Sequence, residues 1–137
     1  MDRKEFIKQT ANVAKRAYDF SIKSRKQGLP ELEDDIDADA LKRGDIFECG
    51  MRFAIEGASI EKVDEILTGM ISREKDEYTK RLKSIQKEAV KCIQESFNSF
   101  ILLNVLFSFI NDDEKKEARG LLADGAFKEY FDSYSEV

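Results

Sequence analysis

Three aspartates at alternate positions, Asp35, Asp37 and Asp39, have the opening spacing of a calcium-binding loop. Such a loop also needs glycine at its sixth position for the sharp turn and a bidentate glutamate at its twelfth. Those positions hold Ala40 and Ile46. The expectation is therefore no metal site, but a solvated acidic loop that supplies the N-cap of the next helix. Carboxylates are abundant elsewhere, yet no pair stands out as a general acid and base. The chain has no histidine, which removes the commonest general base and zinc ligand and every Ser-His or Cys-His nucleophile. It also lacks a glycine-rich phosphate loop and any nucleophile motif. The two cysteines, Cys49 and Cys92, sit on or beside apolar stripes and read as packing residues in a reducing setting. These absences point to a non-enzymatic chain without cofactor.

The remaining chemistry is that of charge. The segment Lys23-Ser24-Arg25-Lys26-Gln27-Gly28-Leu29-Pro30-Glu31-Leu32-Glu33 sets a basic helix end against an acidic turn. Residues 1–30 carry eight bases and three acids, and residues 31–39 carry six acids and no base. Arg25 lies four residues after Ser21 and so extends the face of the first helix where that face leaves the core. Glu33 lies past the turn. Such a juxtaposition either complements the helix dipole and solvates a loop, or offers charges of both signs to a partner. The overall net charge of -5 argues against a generic nucleic-acid binder.

The elements that must carry these charges are helical. Of 137 residues, 42% are hydrophobic and 37% charged, with one proline and seven glycines. That is a core with a large solvated helix surface and little turn chemistry for a sandwich or barrel. No internal repeat or linker divides the chain, so a single all-helical domain over residues 1–137 is expected. A first helix is predicted from Asp2 to Gln27, with Phe6, Ile7, Thr10, Ala14, Ala17, Tyr18 and Ser21 on one face. Gly28 and Pro30 stop it. A second helix runs from Asp39 to Glu56, on the stripe Ala40, Gly44, Phe47, Met51, Ala54 and Ile55. Gly44 and Gly50 weaken it by about 1 kcal/mol each unless a close contact requires them. Ser59 caps a third helix. Its stripe Val63, Ile66, Leu67, Met70, Ile71 continues as Tyr78, Leu82, Ile85, Ala89, Cys92, a heptad-like seam suited to oligomerisation. This helix is expected to pass about 30 residues on that pattern. The run Phe97–Ile110 is too short to span a bilayer, which takes roughly 20 apolar residues. It reads as a core helix burying Phe100, Leu103, Leu106, Phe107 and Ile110, or else as a strip meeting a membrane surface or partner. Asn111 or Asp112 caps a further helix to Ala123, and Ala126–Tyr134 forms a last short one. The expected fold is thus an all-α bundle of four to five helices, including one long heptad-like helix. The N-terminal residues lack a secretory signal.

The run KSRKQGLPELEDDID followed by IFECGMRFAIEGASIEKVDEILTGMI resembles the cytoplasmic region of the MotA family of flagellar stator subunits. The matching pieces are Ser24-Arg25, Gly28-Leu29, Leu32-Glu33, Phe53-Ala54-Ile55-Glu56-Gly57, Val63, Ile66-Leu67 and Ile71, within residues 18–75. The helical region 76–137 resembles no family, and the four membrane spans of MotA have no counterpart here. The resemblance implies a cytoplasmic stator-like module, at the inner face of the cell membrane, that contacts the rotor protein FliG. It places the family's rotor-facing arginine and glutamate at Arg25 and Glu33. The alternative is a helical scaffold or regulatory protein acting by self-association or other protein contacts.

Overall fold

The computed structural model describes residues 1–123 and 125–133. No strand occurs among them. They form eight α-helices and one 3₁₀ segment: α1 (Arg3–Gln27), the 3₁₀ segment (Leu29–Asp35), α2 (Ala40–Arg43), α3 (Ile46–Ile55), α4 (Ile60–Ile71), α5 (Glu77–Gln94), α6 (Ser99–Phe107), α7 (Asp112–Leu121) and α8 (Gly125–Asp132). The all-α class holds. The expected four to five helices become nine helical elements among the described residues, and none is a 30-residue helix. Tyr134, the expected end of the last helix, lies outside the described residues.

Two breaks, and a 3₁₀ segment where a loop was expected, raise the number. The expected third helix divides at Ser72–Asp76, a run with no apolar side chain. The Ser72 hydroxyl donates to the Gly69 carbonyl at 2.7 Å, and Asp76 caps α5 by accepting from the Thr79 N–H at 2.9 Å. With nothing apolar to continue the stripe and a strong N-cap available, the chain reverses. Lys91 and Lys87 of α5 reach back to Asp64 of α4 at 3.1 and 3.2 Å, and Lys83 reaches Glu74 at 3.1 Å. The pair is an antiparallel hairpin. The expected second helix divides at Gly44, whose φ of 68° is the left-handed C-terminal conformation, after which Asp45 caps α3. Gly50, by contrast, stays helical for the packing reason anticipated. A Cβ there would meet Val90 Cγ2 at 2.8 Å and Leu67 Cδ1 at 2.9 Å, so α3 lies close against α4 and α5.

Helices α1 and α5 form the centre. α1 packs lengthwise on α5 and also touches the 3₁₀ segment, α6 and α7; α5 packs in addition on α3, α4 and α6. The seam Leu82, Ile85, Ala89 and Cys92 is buried inside this packing, with Tyr78 partly buried. It therefore faces the chain's own core and is not presented to a second copy. Of the five residues expected to be buried in the Phe97–Ile110 run, Leu103, Leu106, Phe107 and Ile110 are buried and Phe100 is 53% exposed. α6 is apolar on every side, so periodicity gave no sign of which face looks outward. Ile66, expected on the α4 stripe, is likewise exposed. No helix among the described residues is long and apolar enough to cross a membrane.

Candidate functional site: the end of α1 and the 3₁₀ segment

α1 begins where the Asp2 carboxylate accepts from the Glu5 N–H at 2.8 Å, satisfying one of the free donors of a helix start. It ends at Gly28, whose N–H donates to the Ser24 carbonyl at 2.7 Å and whose φ of 92° suits glycine. Pro30 then opens the 3₁₀ segment with its fixed φ. Leu32, fully buried, pins that segment to the core.

Around this corner most charges are already engaged. The Lys23 ammonium donates to Asp35 at 2.7 Å, which raises the lysine pKa. Arg16 donates to the Glu48 carboxylate and lies over the rings of Phe20 and Phe47, at 5.2 and 5.3 Å from their centroids. Glu48 is buried and also accepts from the Asp37 N–H at 2.5 Å. The Asp37 carboxylate accepts from the Asp39 N–H at 2.8 Å and from Arg43. The backbone hydrogen bond first, then Arg43, hold its pKa below the usual aspartate range. Asp39 lies 3.8 Å from Lys42. The three aspartates with calcium-loop spacing thus turn to three different cations, Lys23, Arg43 and Lys42. Among the described residues no group of His, Cys, Asp or Glu is arranged to hold a metal ion.

Arg25 and Glu33 stand outside this network. Both are exposed, as are Lys26, Glu31 and Asp34. Among the described residues none of the five has an ion-pair partner. The fold does not bring Arg25 and Glu33 together. Arg25 lies one turn beyond Ser21, whose hydroxyl donates to the Phe97 carbonyl at 3.5 Å, so Arg25 is on the α6 flank of α1. Glu33 is on the α3 flank. It lines a cleft of about 220 Å³ with Ile36, Ala38, Ile55, Arg52 and Glu56, the last two being paired at 3.2 Å.

Both cysteines are buried and free. Burial raises the Cys49 pKa and pushes that of Cys92 up to about 11, so both remain thiols at neutral pH.

The sequence left open an exposed strip in the run 97–110, and Phe97, just before α6, and Phe100 and Ile101 on it are exposed. A second arginine–glutamate clamp, far from the candidate site, escaped sequence reasoning. Arg81 makes two 2.8 Å hydrogen bonds to the buried Glu114 and lies 4.3 Å from the Phe6 ring centroid. The Asn111-x-x-Glu114 spacing of a capping box was a visible signal for half of it. No protein-family model, no curated protein and no solved structure matches the chain, so the likeness to MotA rests on the residues quoted above.

Proposed function

We propose that the chain is a non-enzymatic helical scaffold or regulatory protein that works in the cytoplasm by protein–protein contact, with the end of α1 as its contact surface. The observation that supports this reading is selective pairing. In a corner where Arg16, Lys23, Asp35, Asp37, Arg43 and Glu48 are all engaged, Arg25, Lys26, Glu31, Glu33 and Asp34 have no ionic partner among the described residues. Free charges of both signs on a rigid corner favour fast, salt-sensitive encounters with a complementary protein. The buried seam of α5 argues against self-association through that helix. A photo-crosslinkable residue at Gln27, exposed between the two charges, tests the reading in source cells. The expected result is a defined crosslinked partner that is lost with Arg25→Glu or Glu33→Lys. Crosslinks that survive both reversals would count against this surface.

A second reading, the stator-like module contacting FliG, is favoured by the exposure of both Arg25 and Glu33, the two positions to which the resemblance assigns rotor contact. Capture of purified FliG by the chain, weakened by either charge reversal, is its expected result. No capture at low salt would reject the rotor partner and leave the broader reading standing.

A further inference from the structure

Between Glu95 and Asp112 the chain runs for 16 residues without a charged side chain, although 37% of its residues are charged. The inward side of this run is core. The outward side is apolar as well. Phe97, Phe100 and Ile101 are 39%, 53% and 40% exposed. Asn104, Val105 and Ser108 continue the same side at three- and four-residue steps, the first two half-buried and the last exposed.

The polar side chains of this strip are engaged by α6 itself. Asn98 accepts from the Ile101 N–H at 3.0 Å, the Asn104 amide donates to the Phe100 carbonyl at 2.8 Å, and the Ser108 hydroxyl donates to the Val105 carbonyl at 2.6 Å. Excluding water from the strip therefore strands few polar atoms, which is the usual cost of covering a helix face. Charges stand only at its ends, with both signs at each. Arg25 and Glu95 flank the Phe97 end; Lys80, Asp112, Asp113 and Lys116 flank the Ile110 end. Among the described residues none of the six forms an ion pair.

We propose that this strip is a two-fold interface at which a second copy of the chain pairs α6 against α6, antiparallel, in a weak and reversible dimer. A two-fold contact sets the same patch against itself, so it must be free of like-charge conflict. On a chain of net charge -5, an uncharged strip meets that condition. An axis between Ile101 and Asn104 sets Phe100 of each copy against Val105 of the other. It also brings the Arg25 and Glu95 end of one copy to the Lys80, Asp112 and Asp113 end of the other, where each charge has an opposite one to meet. At roughly 200 Å² for a full side chain, Phe97, Phe100 and Ile101 bring roughly 260 Å² per copy, against about 1,200 Å² in total for a stable complex. The shortfall sets the strength, a dissociation constant of roughly 10 µM to 1 mM. A helix lying on a membrane carries lysine and arginine along its polar face; α6 carries none, which disfavours a lipid surface. The proposal goes beyond the contact surface at Gln27 and does not depend on it.

Sedimentation equilibrium of the full chain, from about 10 µM to about 1 mM, tests this. The mean mass should rise with concentration from 15.8 kDa toward twice that value. Phe100→Glu should raise the dissociation constant about tenfold or more, since it sets a charge into the apolar centre of the contact. Ile101→Glu and Ile101→Lys lie near the axis. Each should be monomeric alone, and the two should associate when mixed, because opposite charges then face each other across it. Both positions are exposed, so the melting temperatures should stay near wild type, and the Ile101 pair keeps the test decisive if Phe100→Glu fails to fold. Monomer mass throughout, association untouched by these variants, or no recovery on mixing would overturn the proposal. So would a monomer that floats with phosphatidylglycerol vesicles only while Phe100 is intact, which assigns the strip to a membrane. None of these failures alters the Gln27 crosslinking result, so the two readings fail separately.

Discussion

Two arginine–glutamate combinations in this chain stand in opposite circumstances. At the α5–α7 junction Arg81 and Glu114 are joined by two hydrogen bonds, with the carboxylate 2% exposed and the guanidinium laid over Phe6. At the end of α1, Arg25 and Glu33 are exposed, on different flanks, and without ionic partners among the described residues. The first pair closes the fold; the second is available to something outside it. What separates them is desolvation, not residue type. A buried carboxylate must be paired, because leaving it alone is costly, whereas exposed charges contribute little to stability in either state.

The largest expected effect comes from breaking the first pair. Arg81→Ala leaves Glu114 buried and uncompensated and should destabilise the fold by about 3 kcal/mol, read from urea unfolding. Glu114→Gln keeps the shape and removes the charge. It should cost about 1.5 kcal/mol, the weight of hydrogen bonds to a charged group. It should also flatten the acid limb of the stability profile. Burial opposes the charged form of Glu114, but the Arg81 and Asn111 hydrogen bonds outweigh it and hold the pKa below the usual range. A depressed carboxylate contributes stability above its unfolded pKa, about 4.3, and loses it as pH falls through the lower folded value. Unfolding followed between pH 7 and pH 3 should show that loss in the wild type and less of it in the variant. Smaller again is Asn111→Ala, which removes the cap that presents Glu114 to Arg81 and should cost about 1 kcal/mol. Smallest is the effect of reversing the second pair: Arg25→Glu and Glu33→Lys should each stay within about 0.5 kcal/mol of wild type. A large loss from either would move that residue to the structural side of the comparison.

Much of the fold was legible, and the exceptions have specific causes. The limits of α1 were written in Asp2, Gly28 and Pro30, the Ser59 cap acts as read, and of the two candidates Asn111 and Asp112 it is Asn111 that caps α7. The split between α4 and α5 was hidden because Ile71 and Tyr78 are seven residues apart, so the heptad phase carries across the turn as though the helix continued. Phe100 was misplaced because a helix apolar on all sides does not say which face is left over. At the candidate site the two charges were visible in the sequence. Which neighbours would be neutralised was not: Lys23 meets Asp35 because the 3₁₀ segment packs along α1, and Arg16 meets Glu48 across from α3.

The central claim is that the charges at the end of α1 serve a partner and not the fold. Melting temperature and crosslinking yield from Gln27, measured together for Arg25→Glu, Glu33→Lys and Arg81→Ala, test it most directly. The account predicts that the first two variants melt with the wild type and lose the crosslinked partner, while Arg81→Ala melts early and, below its transition, retains it. Crosslinking that persists in both charge reversals, or melting that falls with them as it does for Arg81→Ala, would contradict it.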